Sequence, residues 1–470
     1  MALALVALAW AGPAAAAPRF EVTRLPHSFA QDPSFARDGE VLSAELDSGG
    51  IRQIFRSDLR GRRQRCLTCR TVPGPSGLPQ DRPQGDWILF ENDSAQSPHF
   101  GGPGLGGYGS DLYVMGEDGA HPYRLTTTSD PGGGTPYDNF HAYWSPTGRQ
   151  VVWTHTEAHP LADGGQTWEM LLGDFSVRRG RPSLRNVRVV GRPYGVYETQ
   201  PWAPDGSGFL FCAAGGYRSP FQATPPGWGH MQLYYMRLYG RGASPAHPLV
   251  TQISDNLPAY QEQALFAPDM RSVIMMSNRG ATAGSWYDLV VSAAQRTRFD
   301  APDTGSTGTL QFLSDFSSGS GFSSDLYTVD LRSGATRRLT DLGGVVPEFF
   351  WDRGYRRIII GVTGRAGTPT YAGRFMGASA TPGAPPRGHP VDMSRVGSQA
   401  QPVRDPGPTN NVSLPVTPPA HHAPPLPHAK ANGDVTGVPG VVLTYLSLWQ
   451  SQLTDLGRLA MTSFANPPLG

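Results

Sequence analysis

Charge is scarce in this sequence, and what there is nearly cancels. Asp, Glu, Lys and Arg make up 16% of 470 residues, and the formal net charge is +1. No bulk field draws such a chain to nucleic acid, and its densest basic run, Arg60 to Arg65, reads as a solvated turn. Cysteine is scarcer still, at three residues. Cys66 and Cys69 form a lone CxxC with no second CxxC or His pair to complete a zinc site, and Arg70 stands where c-type haem attachment needs His. In an exported chain that pair is expected to form a local disulfide, and Cys212 to be a small buried apolar residue. No GxSxG nucleophile elbow is present. The glycine-rich stretch Gly101 to Gly109 does not lead from a strand into a helix, so it is no phosphate cradle. Past the N-terminus there is no apolar run long enough to span a bilayer.

What is abundant is turn chemistry. Gly 58 and Pro 45, with aromatics at 10%, suit an all-β chain rather than long helices. Residues 1–17, MALALVALAWAGPAAAA, form an apolar run ending in small residues, with an Ala-x-Ala cleavage site at Ala15 to Ala17. This predicts a secretory signal peptide and a secreted or periplasmic protein; an uncleaved anchor is the alternative, and the run is short for one.

One hairpin, QPWAPDGSGFLF from Gln200 to Phe211, sets the pattern for the rest. Pro204 presets φ for a tight turn, Gly206 takes the φ that side chains avoid, and the flanking apolar residues read as strands. The unit continues as a variable loop, a third strand, a tight turn and a fourth strand ending in Arg-Leu-Thr. It recurs in PSFARDGEVLSA (33–44), AYWSPTGRQVVWT (142–154), LFAPDMRSVIMMS (265–277) and EFFWDRGYRRIIIGV (348–362), with second halves such as DLYVMGEDGAHPYRLT (111–126) and DLYTVDLRSGATRRLT (325–340). Four-stranded units at a period of about fifty residues predict one β-propeller of four-stranded blades. An open ring would leave exposed sheet edges, and FEVTRLP, Phe20 to Pro26, resembles the fourth-strand pattern and is expected to close the last blade. Counting fourth strands predicts seven blades, with six and eight as alternatives.

These repeats, WSPTGRQVVWT, PWAPDGSGFLF and DLYVMGEDGAHPYRLT above all, look like the WD-like repeats of TolB-type propeller proteins over roughly residues 20 to 365. The resemblance implies the fold. For function it implies several classes: periplasmic adaptors, gating domains of prolyl-oligopeptidase-like enzymes, and some lyases. After the repeats only about a hundred residues remain, too few for an α/β-hydrolase domain.

The expected organisation is a signal peptide (1–17), the propeller (18–365), a Pro-, Ala- and His-rich disordered tail (366–440) and an amphipathic helix (441–464) with Leu446, Trp449, Leu453 and Leu456 on one face. A shifted reading frame is the other source of such a tail. Long segments fall between the second and third strands (B–C) and between blades (D–A), which share one face of the ring. The expected binding face therefore carries His141, His155, Glu157, His159, Glu198, His230, Glu262, Asn278, Arg279 and Glu348. Glu198, Glu262 and Glu348 precede first strands and are placed around the channel, or against Arg of neighbouring blades. His155, Glu157 and His159 alternate along extended chain; with His141, His155 and His159 as ligands they offer a divalent metal site, against the plainer reading of loop polarity. Two functions follow: a monomeric binding or scaffold module for a protein, peptide or glycan without a cofactor, or a metal-dependent propeller enzyme such as a polysaccharide lyase.

Overall fold

The structure is a computed structural model; it describes residues 20–29, 31–93, 110–126, 137–158, 166–191, 197–214, 231–240, 242–254, 261–267, 270–279, 324–344, 346, 348–362, 370–375 and 403–404. All regular structure among them is β, in six antiparallel sheets. β1 (Phe20–Arg24) belongs to the last blade. Blade 1 then holds β2 (Gln31–Phe35), β3 (Val41–Leu46), β4 (Arg52–Ser57) and β5 (Arg65–Cys66); blade 2 holds β6 (Ser76–Asp81), β7 (Trp87–Asp93), β8 (Ser110–Gly116) and β9 (Tyr123–Arg124). Blade 3 is β10 (Tyr137–Trp144), β11 (Gln150–Ala158), β12 (Gln166–Arg178) and β13 (Arg181–Gly191), and blade 4 is β14 (Tyr197–Trp202), β15 (Gly208–Ala214), β16 (Met231–Arg237) and β17 (Leu249–Gln252). Blade 5 is β18 (Ala264–Phe266), β19 (Ser272–Ser277), β20 (Asp325–Asp330) and β21 (Thr336–Arg338); blade 6 is β22 (Phe349–Trp351), β23 (Ile358–Gly361), β24 (Thr370–Phe375) and, outermost, β1.

The ring thus has six blades, and the count of seven is corrected. The excess came from reading LFAPDMRSVIMMS and DLYTVDLRSGATRRLT as two units. They are the two halves of one blade: β19 pairs with β20 from Ser272↔Asp330 to Ser277↔Asp325. The weaker strand patterns placed between them, WYDLVV and TLQFLS, lie outside the described residues.

The first strands β2, β6, β10, β14, β18 and β22 touch one another in ring order and surround the axis. Each leads into a tight A–B turn whose last residue has positive φ: Gly39, Gly85, Gly148, Gly206, Met270 and Tyr355. Only four of these are the glycine that this conformation favours. Indoles at the ends of two first strands reach back to the preceding blade. Trp202 donates to the Tyr143 carbonyl at 3.2 Å and Trp351 to the Phe266 carbonyl at 2.9 Å. A continuous core of aromatic and branched side chains, among them Phe140, Tyr143, Phe209, Phe350 and Ile358 to Ile360, fills the space between sheets.

An early strand closes the ring against a late one. β1 pairs with β24 from Phe20↔Phe375 to Arg24↔Tyr371, and β24 with β23. Leu25 N–H donates to the Thr370 carbonyl at 2.8 Å, and Phe29 N–H to Thr370 Oγ1 at 2.9 Å. β24 carries the propeller past residue 365, where the repeat pattern fades in the sequence. A further short strand, β25 (Val403–Arg404), pairs with β17 at the edge of blade 4. The rest of the tail, including the expected helix at 441–464, and the expected signal peptide lie outside the described residues. Among the described residues no helix is long and apolar enough to cross a membrane. Cys66 and Cys69 are joined in a disulfide, and Cys212 is a free, buried thiol in β15.

Candidate functional site

Four first strands share an irregularity. A β-bulge interrupts pairing between Gln31 and Ser34, Gly77 and Gln80, Phe140 and Tyr143, and Thr199 and Trp202. Bulges bend a strand and re-aim its side chains. Within three of them Asp32, Leu78 and His141 have φ of 46°, 45° and 48°, a left-handed conformation unusual for residues with a Cβ. Asp32 and His141 are buried there despite being polar.

Around the axis each blade contributes one buried titratable side chain: Asp32, Glu91, His141, Glu198, Glu262 and Glu348, in blade order. Their convergence is visible in how they act on one another. Burial pushes the Glu198 carboxyl well above the usual range, and Glu262, Glu348 and Glu91 push it further. Burial likewise raises Glu348, helped by Asp32 and Glu262. Glu91, Glu198 and Glu348 sit on non-adjacent blades, so they meet only across the axis. The Glu198 and Glu262 carboxyls face each other closely enough to share a proton, which two ionised acceptors cannot do. Basic side chains stand at the side: His141 Nδ1 lies 3.7 Å from Glu198 Oε2, and the buried Arg52 guanidinium offsets part of the rise that burial imposes on Asp32.

The axis is closed on the turn side of these groups. The Tyr143 ring of blade 3 lies 6.3 Å from the Phe350 ring of the opposite blade 6. Its hydroxyl reaches Gln263 Oε1 of blade 5 at 3.4 Å, and Gln263 Nε2 donates to the Phe349 carbonyl at 3.1 Å. Tyr143 and Phe350 are closer to their A–B turns than His141 and Glu348 are, so the carboxyls lie on the B–C/D–A side of this plug.

Of the residues singled out from sequence, His141, Glu198, Glu262 and Glu348 meet at the axis. They are buried inside it rather than exposed at a rim. His155 is half-buried on β11, its Nδ1 3.0 Å from Asn139 Oδ1. Asn278 and Arg279 directly follow β19; Asn278 is buried, and the Arg279 guanidinium lies 5.8 Å over the Tyr327 ring, whose hydroxyl donates to the Arg279 carbonyl. Glu157 is placed only through its backbone, opposite Tyr137 and Thr167. His159 and His230 lie outside the described residues. Among the described residues no three His, Cys, Asp or Glu side chains come together as a metal ion requires. His141 Nδ1 lies toward Glu198 Oε2 and His155 Nδ1 toward Asn139 Oδ1, while His159, the third expected ligand, lies outside the described residues.

Asp32 and Glu91 were missed. Asp32 had a signal: like His141 and Glu348 it stands four residues before the first residue of its A–B turn, Ala36, Ser145 or Asp352. Glu91 had none, because it comes from a second strand, where it accepts the Ala142 N–H at 3.4 Å.

No family model matches the chain, and no curated protein matches it. Solved structures with a similar fold include TolB from Acinetobacter baumannii, at 13% identity and a TM-score of 0.36 over 69% of this chain and 59% of that one. A puromycin-hydrolysing peptidase of Mycobacterium tuberculosis is similar at 15% identity and a TM-score of 0.41, over 72% of this chain and 44% of that one. An oligogalacturonate lyase in complex with manganese is similar at 11% identity and a TM-score of 0.36, over 77% and 95%. The chain spans less than two thirds of those TolB and peptidase chains, and the likeness to these structures is one of fold, the β-propeller.

Proposed function

We propose that the chain is an exported β-propeller that binds a partner, a protein, peptide or glycan, on the face formed by its B–C and D–A segments. One observation carries this reading: the two ends of the ring differ. At the A–B end all six turns are tight and the axis is plugged by Tyr143 and Phe350. At the other end the B–C connections of blades 2, 4 and 5 are the long ones, spanning 94–109, 215–230 and 278–324. Concave, loop-walled ends of rigid scaffolds are where ligands bind. The longest C–D connection, residues 238–248 of blade 4, folds back on itself through paired Ser244 and His247. Export is supported by the apolar run at 1–17 and by the Cys66–Cys69 disulfide, which favours an oxidising compartment.

Peptide and glycan arrays probed with the full chain test this. Ligands are expected to compete for one site, to lose affinity with His155→Ala/His159→Ala, and to keep it with Asp205→Ala on the tight-turn face. Affinity lost only through the tight-turn variant overturns the proposal. So does turnover of oligogalacturonides or another array glycan, which makes the chain an enzyme.

A further inference from the structure

The axial carboxyls need an explanation that folding does not supply. A buried carboxyl is unfavourable unless paired or hydrogen-bonded, and this axis gathers five. Asp32 has the Arg52 guanidinium as a countercharge, Glu198 has the His141 ring beside it, and Glu91 accepts the Ala142 N–H. Glu348 is surrounded differently: the charges that act on it most are Asp32 and Glu262, both acidic.

Beside the carboxyls stand fully buried amides with unsatisfied atoms. Gln261, next to Glu262, has neither its Oε1 nor its Nε2 hydrogen-bonded. Gln200, in the blade 4 bulge, spends its Nε2 on Cys212 Sγ at 3.7 Å and leaves Oε1 without a donor. That thiol is itself raised by burial and by Glu198 and Glu262, which places the Gln200 amide at the ring. Glu348 Oε2 also lacks a donor. The unmet demand is mostly for donors, coming from several blades toward one axis.

We propose that this ring, with Glu198, Glu262 and Glu348 at its centre, is a socket for the cationic side chain of a partner polypeptide, a Lys or Arg inserted along the axis from the B–C/D–A face. The inference rests on the partner-binding reading above and adds the chemistry that is recognised. An ammonium offers three donors and a guanidinium five, all without acceptors, matching this acceptor-rich ring. A neutral sugar brings donors but no charge to neutralise the carboxyls. Entry from the other end is blocked by Tyr143 and Phe350.

Linkage gives the socket a signature. Empty, its raised carboxyls hold protons, and an arriving cation favours their ionised forms, so binding releases protons and strengthens as pH rises. The titratable groups facing Glu198 and Glu348 are Glu262, Glu91, Asp32, His141, Tyr143 and Cys212.

The test is calorimetric titration of the full chain with a blocked Gly-Gly-Arg-Gly-Gly peptide, its Lys counterpart, its citrulline counterpart and spermidine, at about pH 6 and about pH 8. The Arg or Lys peptide is expected to bind at least about tenfold tighter than the citrulline peptide, with proton release. That preference is expected to vanish in Glu198→Gln/Glu348→Gln. If the double variant loses its cooperative melt, Glu348→Gln alone is used, since glutamine keeps the shape. Equal affinity for charged and neutral peptides, no binding of any peptide, or an unchanged preference in the folded variant overturns the proposal. Spermidine binding with peptides excluded overturns it as well, since the cation is then a free amine. An array ligand that holds the loop face and ignores Glu198→Gln/Glu348→Gln refutes the socket while leaving partner binding intact. Absence of any loop-face ligand refutes partner binding itself.

Discussion

A single carboxyl at the seam between blades 1 and 2 illustrates how burial couples this protein to pH. Arg56 of β4 holds three acids there: Asp38 at 2.6 Å, Glu40 at 2.8 Å and Glu117 at 2.5 Å. Asp81, at the end of β6, lies beside this group, its Oδ2 accepting the Arg37 N–H at 2.5 Å. Burial first, and then hydrogen bonding and repulsion from Glu117, push the Asp81 carboxyl from 3.8 up to about 9, against the pull of Arg56. The folded state therefore holds a proton that the unfolded chain releases. Stability that is fully present below the unfolded value of 3.8 is lost as pH rises toward about 9. Asp81→Asn keeps the hydrogen-bonding shape and removes the titration. Melting curves across this window are expected to show a shallower decline for the variant than for the parent, with the variant more stable at the alkaline end. Parallel curves refute this account. Thiols give a second residue-scale expectation. With Cys66 and Cys69 joined and Cys212 buried, native unreduced protein is expected to label hardly at all, and one thiol to appear on unfolding. Labelling of two thiols in the native state contradicts it.

At the scale of the strand and hairpin, two glycines of the GSG segment of blade 4 have different duties. Gly206 has φ +74° and open space where a Cβ would stand. Gly206→Ala is therefore strained only through its backbone, by about 1 kcal/mol. Gly208 has an ordinary φ, but a Cβ there would lie 2.0 Å from the Met236 carbonyl oxygen, on the paired strand β16. Gly208→Ala is expected to destabilise by about 3 kcal/mol or more, because the ladder itself must shift. Denaturant titration ranks the two, and a larger loss for Gly206→Ala overturns the argument. The A–B hairpins were the most legible feature of the sequence because Pro-Asp-Gly chemistry and alternating apolar residues act locally. Met270 and Tyr355 occupy the same left-handed turn position without glycine, yet the flanking strands still announced their hairpins. The blade count was less legible, since β19 and β20 pair across a separation of dozens of residues and no local signal says which halves belong together. The axial ring was half legible. Glu198, Glu262 and Glu348 stood out by their place before first strands, whereas the bulges that turn Asp32 and His141 inward leave no compositional mark.

At the scale of the whole molecule, stability depends on one junction between distant parts of the sequence. Five blades are built from continuous stretches of chain, while the sixth is completed by β1. Phe20 and Val22 of β1 pack on the core cluster that holds Ile358, Ile359 and Ile360. The fit against β24 depends on a missing side chain: a Cβ on Gly373 would stand 2.5 Å from the Phe20 ring and 3.2 Å from Ile360. A ring without β1 exposes the edge of β24 and returns these apolar groups to water, at about 25 cal/mol per Å² of apolar surface, for a loss of a few kcal/mol. A chain that starts at Phe20 serves as the reference, and a chain that starts at Leu25 removes the strand alone. The shorter chain is expected to melt several degrees lower and, with its open sheet edge, to self-associate at high concentration. A second variant, Gly373→Val, keeps the strand but obstructs its seat, and is expected to lower the melting temperature in the reference chain and to matter little once β1 is gone. That non-additivity isolates the junction, since two changes acting on one contact cannot each remove it. Additive losses, or equal melting temperatures for the two chain starts, refute closure by the N-terminal strand.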